Sequence, residues 1–194
     1  MSDTVGLRPP KPLVLADLFS TSFVRDAALV IAAAGFVGAL AQVSFHIAGT
    51  PVPVTGQTLG VLVSGTALGW KRGAAAMTLY GAAGVAGVPW FTGHASGYVG
   101  ATFGYIVGFV LCAALCGYLA ERGADRSLRK SLPAMVAGEV VLYGVGVSWL
   151  AVSLHVGAAE AVHLGLRPFL LGDAVKAALA AALLPGAWKL AGER

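Results

Sequence analysis

The chain has 194 residues, of which 57% are hydrophobic and 11% charged, and its formal net charge is +4. A soluble domain has about 25% charged residues, so this composition, with a mean hydropathy of +0.80, excludes an ordinary soluble protein and indicates an integral membrane protein. The positive charges lie mainly in predicted loops, so they report membrane topology and not nucleic-acid binding.

The apolar segments predict an all-α integral membrane protein built as a bundle of six transmembrane helices. A membrane-spanning helix needs about 20 mostly apolar residues, and the chain has room for about six. We place the helices at residues 26–47, 57–69, 73–88, 98–120, 132–154 and 168–190. Together, residues 26–190 are expected to form one substrate-binding domain.

The ends of the chain are predicted to be cytoplasmic. Residues 1–25 are polar and contain prolines, without the apolar core of a cleavable signal peptide, so we expect a cytoplasmic segment there and a short tail at 191–194. The basic residues cluster on one predicted side of the membrane: Arg8, Lys11, Arg25, Lys71, Arg72, Arg122, Arg126, Arg129, Lys130, Lys189 and Arg194. The opposite loops contain Arg167, so the positive-inside rule places both termini in the cytoplasm.

The first predicted helix has a stripe of small residues that includes Ala28 and Ala32. Small residues let membrane helices approach closely. These two alanines lie toward the cytoplasmic half of the helix. They are therefore candidates for contact with a partner membrane subunit or for packing inside the bundle.

Two loops are predicted on the outer side of the membrane. The first, residues 49–58, contains Pro51 and Pro53, which prevent a regular helix. Because this loop is too apolar to be well solvated, we expect it to lie across the mouth of the bundle as a lid. The second, residues 87–94, contains Trp90 and Phe91, which can stack on a planar ligand or anchor the chain among lipid headgroups. The four histidines fit no metal motif, and we expect neither a metal nor a cofactor.

The sixth predicted helix contains Asp173 and Lys176 within an otherwise apolar stretch. Each charge costs roughly 2.5–3.5 kcal/mol inside a membrane, and such residues are usually functional. Counted from the outer end of that helix, Asp173 lies roughly 8 Å deep and Lys176 roughly 12 Å deep. Gln42 and Gln57 are expected at the same level, and Thr102 and Tyr105 in the outer half of the fourth helix.

This arrangement predicts an outward-facing polar pocket. The structural alternative is that Asp173 and Lys176 form a buried ion pair that only holds the sixth helix against its neighbours. Glu139 is expected deeper, in the inner half of the fifth helix, where it can interact with the helix start or pair with Lys130.

Several motifs, taken together, resemble one known family. Residues 51–60 read Pro-Val-Pro-Val-Thr-Gly-Gln-Thr-Leu-Gly, which resembles the hallmark outer loop of the BioY family. Its members are the biotin-specific substrate-binding (S) components of energy-coupling factor (ECF) transporters. Three further segments match in order: Leu79-Tyr80-Gly81 with the glycines that follow, Gly100–Tyr105, and Pro168-Phe169 with Asp173 and Lys176. Within the third of these four motifs, Ala101 and Phe103 depart from the proline and glycine of the family.

The resemblance implies high-affinity capture of biotin at the outer side of the bacterial inner (plasma) membrane by a multi-pass protein in the lipid bilayer. It implies partnership with a transmembrane coupling protein, contacted through Ala28 and Ala32, and with a pair of ABC-type ATPases. The implied ligand-binding residues are Thr55, Gln57, Trp90, Phe91, Thr102, Tyr105, Asp173 and Lys176. The chain contains no phosphate-binding loop of the Gly-x-x-x-x-Gly-Lys-[Ser/Thr] type, so it is not itself the ATPase.

Other functions stay open from the sequence. One alternative is an S component for another vitamin, such as thiamine or riboflavin. A second is an intramembrane enzyme that uses Asp173 or Glu139, although no nucleophile–base pairing supports catalysis, and we expect a non-enzyme. A third is a small structural membrane subunit. The sequence also leaves open whether the chain acts alone or as a homo-oligomer.

Overall fold

The computed structural model describes residues 13–18 and 22–192, and that part of the chain is almost entirely helical. In chain order the helices are α1 (Phe23–Gln42), α2 (Gln57–Leu68), α3 (Trp70–Val85), α4 (Phe103–Ala120), α5 (Leu128–Leu154), α6 (Ala158–Gly165) and α7 (Leu170–Leu190). Short 3-10 turns lie at Leu15–Leu18, Thr92–His94, Gly100–Thr102 and Ala124–Arg126. Most of the predicted cytoplasmic segment before α1 lies outside the described residues, with Arg8 and Lys11, as does Arg194.

The six predicted helices correspond to α1–α5 and α7, and the prediction of an all-helical membrane protein is confirmed. The first helix begins three residues earlier than predicted because Ser22 Oγ accepts a hydrogen bond from the Arg25 N–H at 3.1 Å and caps the helix. The sequence did not predict α6, an eight-residue helix between α5 and α7. It is too short to give a clear apolar period, so its residues fit a loop equally well.

The centre of the bundle is α4. Over its most apolar stretch 56% of the residues are buried, against 22% for α1. It packs against α2, α3 and α5, while α7 packs against α2 and α5, and α1 against α2 and α3. The helix that carries Asp173 and Lys176 is thus held directly against α5.

Glycines allow α2, α3 and α4 to approach closely. A Cβ atom on Gly65 would lie 2.6 Å from the Cα atom of Ala113 in α4, so no larger residue fits there without a shift of the helices. Gly69 has φ +82°, which lets α2 turn directly into α3 with no loop between them.

The helices and their surfaces define a multi-pass membrane protein. Within the described residues, four segments are long and apolar enough to cross a bilayer, namely α1, α4 with its preceding turn, α5 and α7, and α2 is a shorter apolar helix. Large apolar side chains are exposed on their outer faces, among them Leu171 at 81% and Val140 at 65%. Such side chains are costly in water and suited to lipid.

Successive helices place the connecting segments at two ends of the bundle. The connections α1–α2 and α3–α4, together with α6, meet at one end, which we call the cavity end. At the opposite end lie the α2–α3 turn, the α4–α5 connection and the last residues of α7.

Candidate ligand-binding site

A cavity of about 310 Å³ lies at the cavity end, enclosed by the two long connections and by α2, α4, α5 and α7. Its volume is at the lower end of the range for small-molecule sites. Seven of the eight predicted ligand-binding residues line it: Thr55, Gln57, Phe91, Thr102, Tyr105, Asp173 and Lys176. The structure therefore brings residues from four separate segments of the chain to one cavity.

Asp173 and Lys176 form an ion pair in the cavity wall. The Lys176 Nζ atom lies 2.6 Å from Asp173 Oδ1, and the Lys176 and Asp173 side chains are 16% and 5% exposed, respectively. They are three residues apart on α7, so both project from one face of the helix. The second oxygen, Asp173 Oδ2, accepts a hydrogen bond from the Tyr143 hydroxyl of α5. The carboxylate thus has a donor on each oxygen while it borders the cavity.

Gln57 is fixed in one orientation at the first residue of α2. Its Nε2 atom donates to the Tyr80 hydroxyl oxygen at 2.7 Å. Its Oε1 atom accepts from the hydroxyls of Thr55, at 2.9 Å, and Thr92, at 3.3 Å. A buried amide with these partners presents a defined polar edge to a ligand, and reorientation would break several hydrogen bonds.

Aromatic side chains form the apolar part of the wall. Phe91 is 3% exposed and meets the Tyr80 ring edge-on, with the ring centroids 5.3 Å apart. Tyr105 donates its hydroxyl hydrogen to the Gly165 carbonyl oxygen at 2.8 Å, which ties α4 to the end of α6. Thr102 donates its hydroxyl hydrogen to the Val99 carbonyl at 3.1 Å and so stays local to its own turn.

Trp90 differs from the other predicted residues because it is not among the residues that line the cavity. The indole N–H donates to the Tyr80 carbonyl oxygen at 2.9 Å, and the two rings lie 5.4 Å apart. Trp90 also packs closely against Gly38 of α1, where a Cβ atom added to the glycine would lie 3.0 Å from Trp90 Cβ. With its N–H engaged in this way, Trp90 packs between α1 and Tyr80 of α3.

The second connection is held in place by Gln42, at the end of α1. Its Nε2 atom lies within hydrogen-bond distance of the carbonyl oxygens of Trp90, at 3.2 Å, and Phe91, at 3.1 Å. Its Oε1 atom accepts the His94 backbone N–H at 3.1 Å. Gln42 therefore positions the loop that carries Phe91 instead of facing the cavity.

The first connection closes over the cavity, as expected for a lid. Two-residue strands, β1 (Ser44–Phe45) and β2 (Val54–Thr55), pair antiparallel at its base. Val52 is 8% exposed and lines the cavity together with Pro51 and Pro53. Thr50 donates its hydroxyl hydrogen to the Leu164 carbonyl at 2.6 Å, which links the loop to α6 on the far side of the mouth.

Phe103, which departs from the family motif, belongs to a cluster of aromatic rings. The Phe103 ring packs between those of Tyr98 and Trp149, with centroid distances of 5.3 and 5.7 Å, and it is not among the lining residues. Ala101 is likewise outside that lining.

Sequence reasoning missed two tyrosines that organise the site. Tyr80 orients Gln57, and Tyr143 orients Asp173. A signal was present for Tyr143, which lies four residues after Glu139 in an apolar helix and therefore on the same helix face.

Glu139 itself does not lie where the sequence placed it, at the helix start or beside Lys130. Its Oε1 atom is buried with no hydrogen-bond partner among the described residues. It interacts electrostatically with Asp173 and Lys176, because the packing of α5 against α7 turns this part of the helix toward the ion pair.

The predicted partner-contact residues Ala28 and Ala32 lie on an open face of α1. Neither is buried, and nothing within 4 Å occupies the space beside Gly35, close to one turn further along. This face is therefore accessible to another membrane helix.

Taken together, the fold and the site define a helical membrane protein with a cavity of small-molecule size, lined by charged, polar and aromatic side chains. The model of the BioY family matches residues 11–193. The chain belongs to the BioY family, which confirms the resemblance read from its motifs.

Two relatives are similar to this chain over most of its length. The biotin transporter BioY of Rhizobium etli is 34% identical over 183 residues, which cover 89% of this chain and 90% of that protein. The probable biotin transporter BioY of Pyrococcus horikoshii is 34% identical over 159 residues, which cover 80% of this chain and 91% of that protein. Both matches cover about nine-tenths of the relative's own length.

A solved structure shares the same fold. The crystal structure of the S-component for biotin from an ECF-type ABC transporter superposes with a TM-score of 0.79 at 23% sequence identity. The match covers 88% of this chain and 95% of that chain. At this identity the likeness is one of fold.

Proposed function

We propose that this chain is the biotin-binding S component of an ECF transporter and mediates biotin uptake across the bacterial inner membrane. The observation that carries the proposal is the Asp173–Lys176 pair in the wall of an enclosed cavity, in a chain of the BioY family. Its relatives in Rhizobium etli and Pyrococcus horikoshii are named as biotin transporters.

The chemistry of the cavity suits biotin. Biotin has a ureido ring with two N–H donors and one carbonyl, an apolar thiophane ring and a valerate carboxylate. Asp173 can accept a ureido N–H, and Lys176 can donate to the ureido carbonyl or meet the carboxylate. Gln57 can both donate to and accept from the ligand when a hydrogen bond to the ligand replaces one that it now makes, such as the bond that its Oε1 atom accepts from the Thr55 hydroxyl.

The apolar ring of biotin requires an apolar wall. Phe91 and Tyr105 provide one beside the polar end of the cavity, and Thr102 borders it. Trp90 packs against the Tyr80 ring, which also contacts Phe91. The first connection, with Val52 against the cavity, would exclude water from the bound ligand and strengthen each polar contact.

We infer six membrane spans, α1–α5 and α7, with both termini in the cytoplasm. The end opposite the cavity carries Lys71 and Arg72 at the start of α3 and Arg122 and Arg126 between α4 and α5. Arg167 lies at the cavity end. By the positive-inside rule the cavity then opens to the outer side, as capture of an external vitamin requires.

The sequence contains no ATP-binding loop of its own, and we propose that partner subunits supply the energy for uptake. We propose a transmembrane coupling protein that docks on the open Ala28–Ala32 face of α1, with ABC-type ATPases bound to it.

Equilibrium binding of labelled biotin to the purified chain in detergent tests the proposal, with excess unlabelled biotin, thiamine or riboflavin as competitors. Saturable binding that only biotin competes is the expected result. Competition by thiamine or riboflavin would instead identify an S component for another vitamin. No binding of biotin by folded protein would overturn the assignment of the ligand.

A further inference from the structure

Glu139 is a half-buried acid that the proposed ligand contacts do not use. Its Oε1 atom is buried, with no hydrogen-bond partner among residues 13–18 and 22–192. An unpaired carboxylate in the interior of a membrane helix is costly. Its position therefore calls for a physical explanation.

The helix geometry places Glu139 level with Lys176. The helices α5 and α7 run in opposite directions, and Tyr143 meets Asp173 where they pack. From that contact, Glu139 lies four residues, or about 6 Å, toward the opposite end of the bundle on α5, and Lys176 lies three residues, or about 4.5 Å, in the same direction on α7. Because spacings of four and three residues keep side chains on one helix face, Glu139 and Lys176 project toward the same region.

Charge interactions agree with this placement. Glu139 interacts electrostatically with both Asp173 and Lys176. In the structure the ammonium is bound to Asp173 Oδ1 at 2.6 Å, while Glu139 Oε1 has no donor among the described residues. One lysine therefore lies near two carboxylates and is bound to one of them.

Glu139 is separated from the ligand cavity. It lines a second, mostly apolar cavity of about 830 Å³ between α5, α6 and α7. Asp173 and Tyr143 line both cavities and form the wall between them, whereas Lys176 borders the first. Glu139 can therefore act on the ligand site through Lys176 without touching the ligand.

We propose that Glu139 is a second counter-ion for Lys176, which takes over the ammonium when biotin engages Asp173. A ligand N–H that binds Asp173 competes with the lysine for the same carboxylate. When the ligand takes the Asp173 carboxylate, the ammonium loses the charge that balances it. A neutral ureido carbonyl does not replace that charge, and the resulting desolvation penalty would weaken ligand binding. Glu139 lowers that penalty because it offers an acceptor at the same level. The inference rests on the proposed function and makes Glu139 a positioning residue.

A double-mutant cycle tests the proposal. Biotin dissociation constants are measured for the wild type, E139Q, K176Q and the double variant in one detergent. E139Q keeps the size of the side chain and removes its charge, and we expect it to weaken binding about tenfold, the low end for loss of a charge-assisted contact. In the K176Q background the same change is expected to have less than about a twofold effect, because the ammonium is gone. A merely structural role for Glu139 would weaken binding equally in both backgrounds.

Controls separate this inference from the proposed function. E160Q, which changes an exposed acid on α6, is expected to leave biotin affinity unchanged. E139D keeps the charge on a shorter side chain and should bind more tightly than E139Q. Thermal unfolding without ligand checks that each variant is folded. Should E139Q not fold, E139A in the wild-type and K176Q backgrounds makes the same comparison, because it also removes the carboxylate. Wild-type affinity in E139Q, or an equal loss in both backgrounds, overturns the counter-ion role while biotin binding stands. Failure of the wild type to bind biotin overturns both.

Discussion

A buried aspartate lies at each end of α7: Asp173 within the helix at the cavity end, and Asp125 of the α4–α5 connection at the opposite end. The two carboxylates have different partners. At the cavity end, Asp173 is bound by Lys176 and Tyr143, and all three side chains border the ligand cavity. At the opposite end, Asp125 accepts a hydrogen bond from the Trp188 indole N–H at 2.6 Å. Asp125 is outside the lining of that cavity.

Asp125 belongs to a packed structural contact. The Arg126 guanidinium lies 3.4 Å from the centre of the Trp188 ring, so residues from the α4–α5 connection enclose the indole. Burial raises the pKa of the Asp125 carboxyl, although the Trp188 hydrogen bond and the Arg126 charge act in the opposite direction. Asp125 therefore joins the α4–α5 connection to α7. Asp173, whose partners border the ligand cavity, is available to a ligand.

The largest effect is expected from D173N, which keeps the shape of the side chain and removes its charge. Biotin affinity should fall about 100-fold, since loss of a hydrogen bond to a charged group costs about 1.5–3 kcal/mol and each 1.4 kcal/mol is tenfold. Equilibrium binding of labelled biotin measures the change. The matched control is D125N, which removes a buried charge at the other end of α7 and should bind within about twofold of the wild type. Affinity in D173N within about threefold of the wild type would contradict a role for this carboxylate in binding.

For Asp125 we expect the opposite pattern, a loss of stability with little change in biotin affinity. D125A removes the acceptor of the Trp188 N–H, and we expect the free energy of unfolding to fall by about 2 kcal/mol, while biotin affinity stays within about twofold. Thermal unfolding in detergent and biotin binding are measured on the same preparation. D125N, which retains an acceptor oxygen, should be destabilised less than D125A. Weakened binding in D125A at unchanged stability would erase the distinction between the two aspartates.

Much of the fold could be predicted because membrane helices are long apolar segments separated by short turns. Lys71 and Arg72, in the first turn of α3, correctly indicated where α2 ends and α3 begins. Pro51 and Pro53 correctly indicated the connection between α1 and α2. The third helix begins at Trp70, three residues before its predicted start, because the positive φ of Gly69 completes the turn in one residue. The short helix α6 gave no comparable signal, since eight residues of mixed character fit a loop equally well.

The site was partly predictable for a different reason. Charged and amide side chains are rare in apolar helices, so Asp173, Lys176 and Gln57 stood out from their surroundings. Tyr143 did not, because its contact with Asp173 depends on how α5 is rotated against α7. The apolar residues of α5 are spread over all faces of the helix, so their pattern does not indicate which face turns toward α7. For Trp90, the sequence showed an aromatic pair but not which ring would face the cavity.

The smallest expected loss of biotin affinity at the cavity end of α7 is that of Y143F. Y143F removes the hydroxyl that donates to Asp173 Oδ2 and keeps the ring that packs edge-on against Tyr105 at 6.1 Å. One hydrogen bond contributes about 1 kcal/mol, so biotin affinity should fall about fivefold, well short of the loss in D173N. Y118F is the matched control, because the Tyr118 side chain is half-exposed near the opposite end of α4. If Y143F binds as tightly as Y118F, Asp173 is positioned by Lys176 and the helix alone. If it loses as much as D173N, the tyrosine hydroxyl itself contacts the ligand, and the wall of the cavity has two polar anchors at this point instead of one.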